Sequence, residues 1–220
     1  MAVLGNIPTQ RYRAERFLVD ADIYNGEMHA GYPIMAFDQP YVHNQLLNLT
    51  HLLYSGAWGP YHEIGHQHQW ADEQFSGTGE ASNNVFVMYA MNVTGVALSH
   101  IDTNVTPEGR KTTRDPYFAK GANWQRDWSY FAALDTYLLL TEGFGWQFYR
   151  NVSAVYTSLP YRIWDDGERV QFFVRTTCSV SKRNLVPFFA KWNFPLTQAT
   201  RDACGKLPAW AQDPMPRLVP

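Results

Sequence analysis

The sequence predicts an α+β fold that is predominantly α, with a small N-terminal β portion and a helical C-terminal part. Residues 16–24 (RFLVDADIY) indicate the β portion, because they partly alternate apolar and polar side chains and include β-branched residues. From residue 42 onward, apolar residues recur mainly at helical spacing. Glycines and prolines separate these periodic segments, as is typical of helices joined by short turns.

Length and composition limit the class of protein. The chain has 220 residues, which predicts a single domain over 1–220 with a loose Pro-rich tail at 211–220. Hydrophobic residues make up 45% and aromatic residues 15%, a content that excludes intrinsic disorder. The net charge is −2 and no basic cluster stands out, so a nucleic-acid partner has no electrostatic support. No apolar run approaches the roughly 20 residues of a transmembrane helix, so no transmembrane segment is expected.

The turn signals divide the chain into further elements. An extended piece at 34–37 is expected to follow the first strand. The stretch 102–121 is the most polar part of the chain and is expected to be a surface loop. Helices are predicted over residues 42–54, 61–70, 80–97, 127–142, 146–156, 165–180, 184–191 and 197–204.

Cysteines and glycosylation sequons bear on the cellular location. The chain contains Cys178 and Cys204, and buried reduced thiols are favoured over a bridge because two cysteines make no disulfide framework. The Asn-x-Ser/Thr sequons exceed the roughly 1.3 expected by chance, which favours a secreted or cell-surface location for the full-length protein. The N-terminus lacks the features of a signal peptide, and a cytoplasmic location is the alternative. The sequons lie at Asn48, Asn92, Asn104 and Asn151.

The segment HEIGH at residues 62–66 carries the chemistry. His62 and His66 are four residues apart on a predicted helix, so both imidazoles can reach one metal ion. Glu63 lies on the adjoining side of the same turn, where it can accept a proton from a metal-activated water. The spacing therefore predicts a zinc site with Glu63 as general base.

A third protein ligand is expected downstream. Glu73 follows too soon for the chain to leave the first helix and return to the metal, whereas Glu80 opens the next predicted helix after a glycine-containing turn. We therefore predict Glu80 as the third ligand. Asn84 lies one turn later, where its amide can hold a ligand histidine, with solvent exposure as the alternative. His68 is expected to point to a different side, as a solvated or outer histidine.

An extra donor should stabilise the oxyanion of the reaction. The candidates are His29, Tyr32 and Tyr137, for each of which packing in the core or at an edge is the favoured alternative. Four tryptophans could stack against sugars, although aromatic residues in helices belong more often to the core. They are Trp58, Trp124, Trp128 and Trp146.

The segments WGPYHEIGHQHQ (residues 58–69) and GEASNNVF (residues 79–86) resemble the enhancin-like, mucin-degrading zinc metallopeptidases. The upstream MHAGYPIM at 28–35 is similar to a signature of the same family, as are ALDTY at 133–137 and EGFGW at 142–146. The resemblance covers nearly the whole chain. It implies a gluzincin-type catalytic core, zinc held by two histidines and a glutamate, and activity on O-glycosylated proteins. It also implies carbohydrate-binding modules elsewhere in the full-length protein.

A second branch of that family is the TRP-channel-associated factors, and the run LPAW at 207–210 looks similar to it. We predict a zinc endopeptidase that acts on glycoprotein or mucin substrates. The alternatives are a non-peptidase zinc hydrolase and a catalytically silent, zinc-containing regulatory module related to the channel-associated factors.

Overall fold

A computed structural model describes residues 1–7 and 14–218 of the chain. A small sheet near the N-terminus lies against a mainly helical body, which confirms the predicted fold class. Among the described helices, none is long and apolar enough to cross a membrane. The strands are β1 (Phe17–Asp20), β2 (Met28–His29) and β3 (Ile34–Phe37). The α-helices are α1 (Pro40–Leu47), α2 (Leu49–Ser55), α3 (Trp58–His66), α4 (Gly79–Thr94), α5 (Pro107–Ala119), α6 (Trp124–Asp127), α7 (Tyr130–Phe144), α8 (Trp146–Thr157), α9 (Asp166–Ser181), α10 (Val186–Lys191), α11 (Gln198–Gly205) and α12 (Met215–Leu218).

The sheet has the order β1-β3-β2, with β3 in the middle. β1 runs parallel to β3 with Phe17 opposite Ile34, and β2 runs antiparallel with His29 opposite Met35. Ile34 and Ala36 of β3 are fully buried, which anchors the sheet on the helical body. β1 is shorter than the predicted strand, and β2 contacts α3. The sheet therefore reaches the helix that carries the HEIGH segment.

Local capping signals set several helix boundaries. The predicted helix over 42–54 is two helices, because the Asn48 side chain accepts from the N–H of His51 and starts a new helix. α4 ends at Thr94, three residues earlier than predicted, because Gly95 takes a left-handed conformation with φ of 79°. The C-terminal helices keep their predicted positions to within about three residues.

The predicted surface loop at 102–121 is wrong over most of its length, because α5 occupies it. Thr106 caps this helix by accepting from the N–H of Gly109, and Pro107 fits its first turn. The polarity is misleading because Arg110 and Arg114, one turn apart, are buried against Asp135 of α7. Arg114 Nη1 lies 2.9 Å from Asp135 Oδ2, so the polar face of α5 is an internal face.

Two further expectations for the C-terminal part are wrong. Cys178 of α9 and Cys204 of α11 form a disulfide, with their Cα atoms 5.7 Å apart. The bridge forms because the two helices pack against each other, a proximity that a separation of 26 residues does not show. The tail is not loose up to Leu218: Met215 is fully buried in the core, so this short helix is packed down.

The loop at 67–78 joins α3 to α4, and buried carboxylates tie it to the C-terminal helices. Asp72 Oδ1 accepts from the backbone N–H of Ile163 at 2.7 Å, and its other oxygen lies 2.9 Å from Arg162 Nε. Glu73 is buried and accepts a hydrogen bond from the hydroxyl of Tyr149 in α8. Burial raises the pKa of Glu73 to about 7, and the hydrogen bond from Tyr149 opposes part of this rise.

The raised pKa of Glu73 predicts a loss of stability with rising pH. Because the folded state holds this proton more tightly than the unfolded chain, the stabilisation is complete below about pH 4.5 and is lost as pH rises through about 7. Relative to Glu73→Gln, the free energy of unfolding of the wild type should fall by about 3 kcal/mol between acidic and mildly alkaline pH. Urea unfolding of both proteins in the same metal state measures this difference. A constant difference across the pH range would contradict it.

Candidate functional site

α3 begins and ends earlier than the predicted helix over 61–70, and His66 is its last residue. His62 and His66 lie on one face, with ring centroids 4.8 Å apart and ring planes nearly perpendicular. After His66 the chain leaves the helix in a turn. In this turn the ring Nδ1 of His68 lies 2.7 Å from the carbonyl oxygen of Ile64. His68 is buried, which contradicts the solvated one of the two roles expected for it.

α4 packs directly on α3 because Gly65 has no side chain. A Cβ atom at this position would lie 2.0 Å from the Oδ1 atom of Asn83. The amide of Asn83 donates to the carbonyl oxygen of His62 at 3.0 Å, which locks the two helices together. The first turn of α4 therefore lies against the histidine face of α3.

This packing brings Glu80 to the two histidines. Glu80 Oε2 lies 2.8 Å from His62 Nε2 and 3.5 Å from His66 Nε2. Among the described residues, these three form the group that could hold a metal ion, with one ligand atom from each and all three atoms within 4.8 Å of one another. The predicted ligand set is thus assembled in space, and Glu73 lies elsewhere in the core.

An amide oxygen lies beside the Nδ1 atom of each candidate ligand histidine, the ring nitrogen that faces away from Glu80. His62 Nδ1 lies 2.8 Å from Asn84 Oδ1, and His66 Nδ1 lies 2.8 Å from Gln69 Oε1. Because an amide oxygen only accepts, each Nδ1 carries a proton and each Nε2 faces Glu80. A carboxylate and two imidazole lone pairs at these distances repel one another unless a cation lies between them or the rings are protonated. The donor set therefore fits a divalent metal that prefers nitrogen and oxygen ligands.

Gln69 is a site residue that the sequence reasoning missed. Its amide nitrogen donates to the carbonyl of Gly79 and to the hydroxyl of Ser82, and this fixes its oxygen toward His66. One side chain therefore orients a candidate ligand and ties α3 to the first turn of α4. The available signal was its position three residues after His66, where a polar side chain can return to the ring.

The charges of the ligand group are strongly coupled. Hydrogen bonds from His62 and then His66 hold the pKa of Glu80 far below its usual range. Burial alone would lower the pKa of His66, but hydrogen bonds with Glu80 and Gln69 outweigh it and raise the value. Glu80 is therefore ionised at neutral pH and favours a positive charge beside it.

Glu63 has a different environment from Glu80. Glu63 is buried, and this burial is the largest cause of the upward shift in the pKa of its carboxyl group. His62 and His66 oppose the shift, Glu80 adds to it, and a backbone hydrogen bond from Ala30 opposes it. The net shift of the Glu63 pKa is upward, which makes this carboxylate a stronger proton acceptor than an exposed one.

An open cleft of about 660 Å³ gives access to the candidate ligands. Trp58 and Phe131 form part of its apolar lining, and exposed Tyr41 and Tyr130 also line it. Glu27 and Asp102 add negative charge, and none of the described residues that line the cleft is a lysine or arginine. The polar lining also contains His62, Glu63, Glu80, Asn84, Gln45 and Asn104.

The three candidates for stabilising the oxyanion differ in where the structure places them. Tyr137 is fully buried against Tyr149 and Phe173, because α7 turns this face into the core. The candidate oxyanion role of Tyr137 is therefore wrong, and the favoured alternative, packing in the core, is what the structure shows. His29 precedes Ala30, whose backbone hydrogen-bonds to Glu63, and Tyr32 lies two residues after Ala30. Neither His29 nor Tyr32 is among the described residues that line the cleft. Of the four tryptophans, Trp58 alone lines the cleft, and the others pack in or against the core.

The chain is similar to known proteins over nearly its full length. It is 34% identical over 217 residues to TRPM8 channel-associated factor 2 from Homo sapiens, an alignment that covers 98% of this chain and 23% of that protein. The chain thus spans about a quarter of the length of the curated relatives it matches.

Solved structures share the fold. A conserved protein of unknown function from Bacillus anthracis superposes with a TM-score of 0.79 at 26% identity, covering 96% of this chain and 44% of that one. A metallopeptidase solved in complex with Tn antigen superposes with a TM-score of 0.65 at 18% identity, covering 84% and 40%, a likeness of fold alone. Residues 2–193 match the profile described as Peptidase M60, enhancin and enhancin-like. The chain therefore belongs to the enhancin-like M60 peptidase family.

Proposed function

We propose that this domain is a zinc-dependent endopeptidase that hydrolyses peptide bonds in O-glycosylated, mucin-like proteins. The observation that carries the proposal is the convergence of His62, His66 and Glu80. Two of these residues, His62 and Glu80, line an open cleft together with Glu63. The M60 membership supports a peptidase-like fold with a metal cofactor.

Zinc fits the candidate ligands best. Two imidazole nitrogens and one carboxylate oxygen form a ligand set typical of catalytic zinc, with a fourth position left for water or substrate. The Asn84 and Gln69 oxygens present both Nε2 atoms in the required tautomer. When bound, zinc would supply a Lewis acid that polarises the scissile carbonyl and lowers the pKa of water.

Glu63 is assigned the proton transfers. Its carboxylate accepts the proton from the attacking water and passes it to the leaving amine nitrogen. A pKa raised by burial suits both steps, because the same group must act first as base and then as acid. The Ala30 backbone hydrogen bond holds the carboxylate in place.

The sheet offers a place for the polypeptide substrate. β2 is an outer strand of the described sheet, and Glu27 and Met28 at its start line the cleft. An extended substrate strand can add to such an edge through main-chain hydrogen bonds. His29 and Tyr32 beside it are proposed as donors to the oxyanion or as substrate contacts.

The glycan part of the proposal rests on the resemblance to mucin-degrading members and on the cleft lining. Tyr41, Trp58, Tyr130 and Phe131 provide aromatic surface for sugar faces beside the candidate metal site. The Cys178–Cys204 bridge supports a secreted or cell-surface protein, since disulfides persist in oxidising compartments. Carbohydrate-binding modules are proposed for the rest of the full-length protein.

A second candidate function is a regulatory module that keeps the metal site without turnover. The observation that favours it is the similarity to TRPM8 channel-associated factors, whose name describes association with a channel. Turnover by the loaded protein separates the two functions.

The metal assignment predicts which carboxylate variant loses zinc. Wild-type protein should retain close to one zinc per chain after dialysis, whereas Glu80→Gln should lose most of it because one of its three ligands is weakened. Glu73→Gln is the matched control, because it changes a buried carboxylate in the loop between the ligands. Elemental analysis gives the zinc content. Retention of zinc by Glu80→Gln, or its loss from the control, would contradict the ligand set.

The outer hydrogen bonds predict a graded loss of affinity. Gln69→Ala and Asn84→Ala should each weaken zinc binding roughly 10-fold or more, because the ligand rings lose their orientation. Gln147→Ala, which removes an exposed helical amide on α8, should have no effect. Competition with a chromophoric chelator measures the dissociation constants. Unchanged constants for both site variants would show that these amides do not position the ligands.

The proposed reaction predicts glycan-dependent cleavage. Zinc-loaded wild type should cleave a mucin-type glycopeptide and leave the same peptide without sugar largely intact. Glu63→Gln should keep zinc and fold but lose turnover, because an amide cannot take up the proton. Sequencing of the product termini identifies the cleaved bond. Equal cleavage of both peptides would remove the glycan from recognition, and no cleavage of either by loaded protein would favour the regulatory module.

A further inference from the structure

A second groove lies between the segment 161–165 and α9, apart from the open cleft beside the candidate metal ligands. Its volume is about 480 Å³, and it shares no lining residue with the cleft beside the candidate metal ligands. We propose that this groove binds an uncharged pyranose residue of a glycan. The inference rests on the proposed function only for the source of the sugar, since binding here requires neither metal nor turnover.

Two aromatic side chains of the groove are open to solvent. Trp164 is 80% exposed and Tyr161 is 58% exposed, although most aromatic side chains in the described part of the chain are buried or half-buried. Aromatic faces of this kind combine a large contact area with few rotatable bonds. Exposed Trp and Tyr beside polar groups therefore form a suitable platform for the apolar face of a sugar ring.

The segment that carries these rings is held rigidly. The N–H of Ile163 donates to Asp72, and the carbonyl of Ile163 accepts from Arg169 Nε at 2.7 Å. Arg162 pairs with Asp72 and lies over the Trp164 ring, with its guanidinium carbon 5.6 Å from the ring centroid. One face of Trp164 is thus covered by a cation, and a fixed backbone presents the ring without a large ordering cost.

A threonine hydroxyl in the groove makes no hydrogen bond to the described part of the protein. Thr176 of α9 is 6% exposed, lines the groove and makes no hydrogen bond to any described residue. The next residue, Thr177, donates to the carbonyl of Val174, which is the usual way to satisfy a helical hydroxyl. Thr176 therefore leaves its hydroxyl available to a ligand that enters the groove and offers a hydrogen bond.

The charges of the groove select the ligand. The lining carries the guanidiniums of Arg162 and Arg175 and the carboxylates of Asp165 and Glu168. Arg175 Nη2 lies 2.6 Å from Glu168 Oε1. An anion would meet two carboxylates and a cation would meet two guanidiniums, so neither has a net advantage. These planar groups can exchange paired hydrogen bonds with vicinal hydroxyls. A neutral sugar satisfies the aromatic, hydroxyl and charge requirements together.

The test is a site-resolved titration of the full chain with a free neutral disaccharide, galactosyl-N-acetylgalactosamine. The indole N–H resonance of Trp164, assigned with Trp164→Phe, should shift saturably at millimolar sugar. Thr176→Val should raise the dissociation constant roughly 10-fold, because it keeps the shape but removes the hydroxyl. Tyr24→Ala is the matched control, since Tyr24 is 96% exposed and lies outside the groove.

Three outcomes would overturn the proposal. They are the absence of a Trp164 shift with the disaccharide, an unchanged dissociation constant in Thr176→Val, and an equal Trp164 shift with an unglycosylated peptide. A failure of the proposed peptidase function is distinguishable, because a loaded protein that cleaves nothing would leave this titration unchanged. Circular dichroism of each variant confirms that it is folded.

Discussion

The site depends on the direct contact between α3 and α4 at Gly65. Because no side chain stands there, Asn83 enters the space and donates to the carbonyl of His62. The same contact places Glu80 within reach of both histidines. Any larger residue at position 65 would displace Asn83 and push the two helices apart. A residue that is a poor helix former, by about 1 kcal/mol relative to alanine, is therefore kept for packing.

The second constraint is the loop at 67–78, which fixes how α4 returns to α3. Its two buried acids use different solutions: Asp72 is paired with Arg162 and a backbone N–H, whereas Glu73 has a tyrosine hydroxyl and a raised pKa. Both contacts lead to the C-terminal helices. The candidate ligands at the N-terminal side are thus positioned by the packing of the whole domain, and the groove at 161–165 shares one of these anchors.

Much of the fold follows from local signals in the sequence. Hydrophobic periodicity places most of the C-terminal helices, and their N-caps, such as Asp165 and Thr197, mark where they begin. Periodicity fails where polar residues are buried. α5 was not predicted because its inner face carries Arg110 and Arg114, which only the partner Asp135 makes compatible with a core.

The sequence by itself determined the candidate metal ligands: the spacing of His62 and His66 places both rings on one helical face, and the glycine-containing turn before Glu80 suggests a second helix. Tertiary structure decided which side chains join them, because those contacts depend on how helices pack. Packing brought Gln69 to His66 and removed Tyr137 to the core. It also joined two cysteines that lie far apart in the chain, since proximity between separate helices leaves no periodic signal in the sequence.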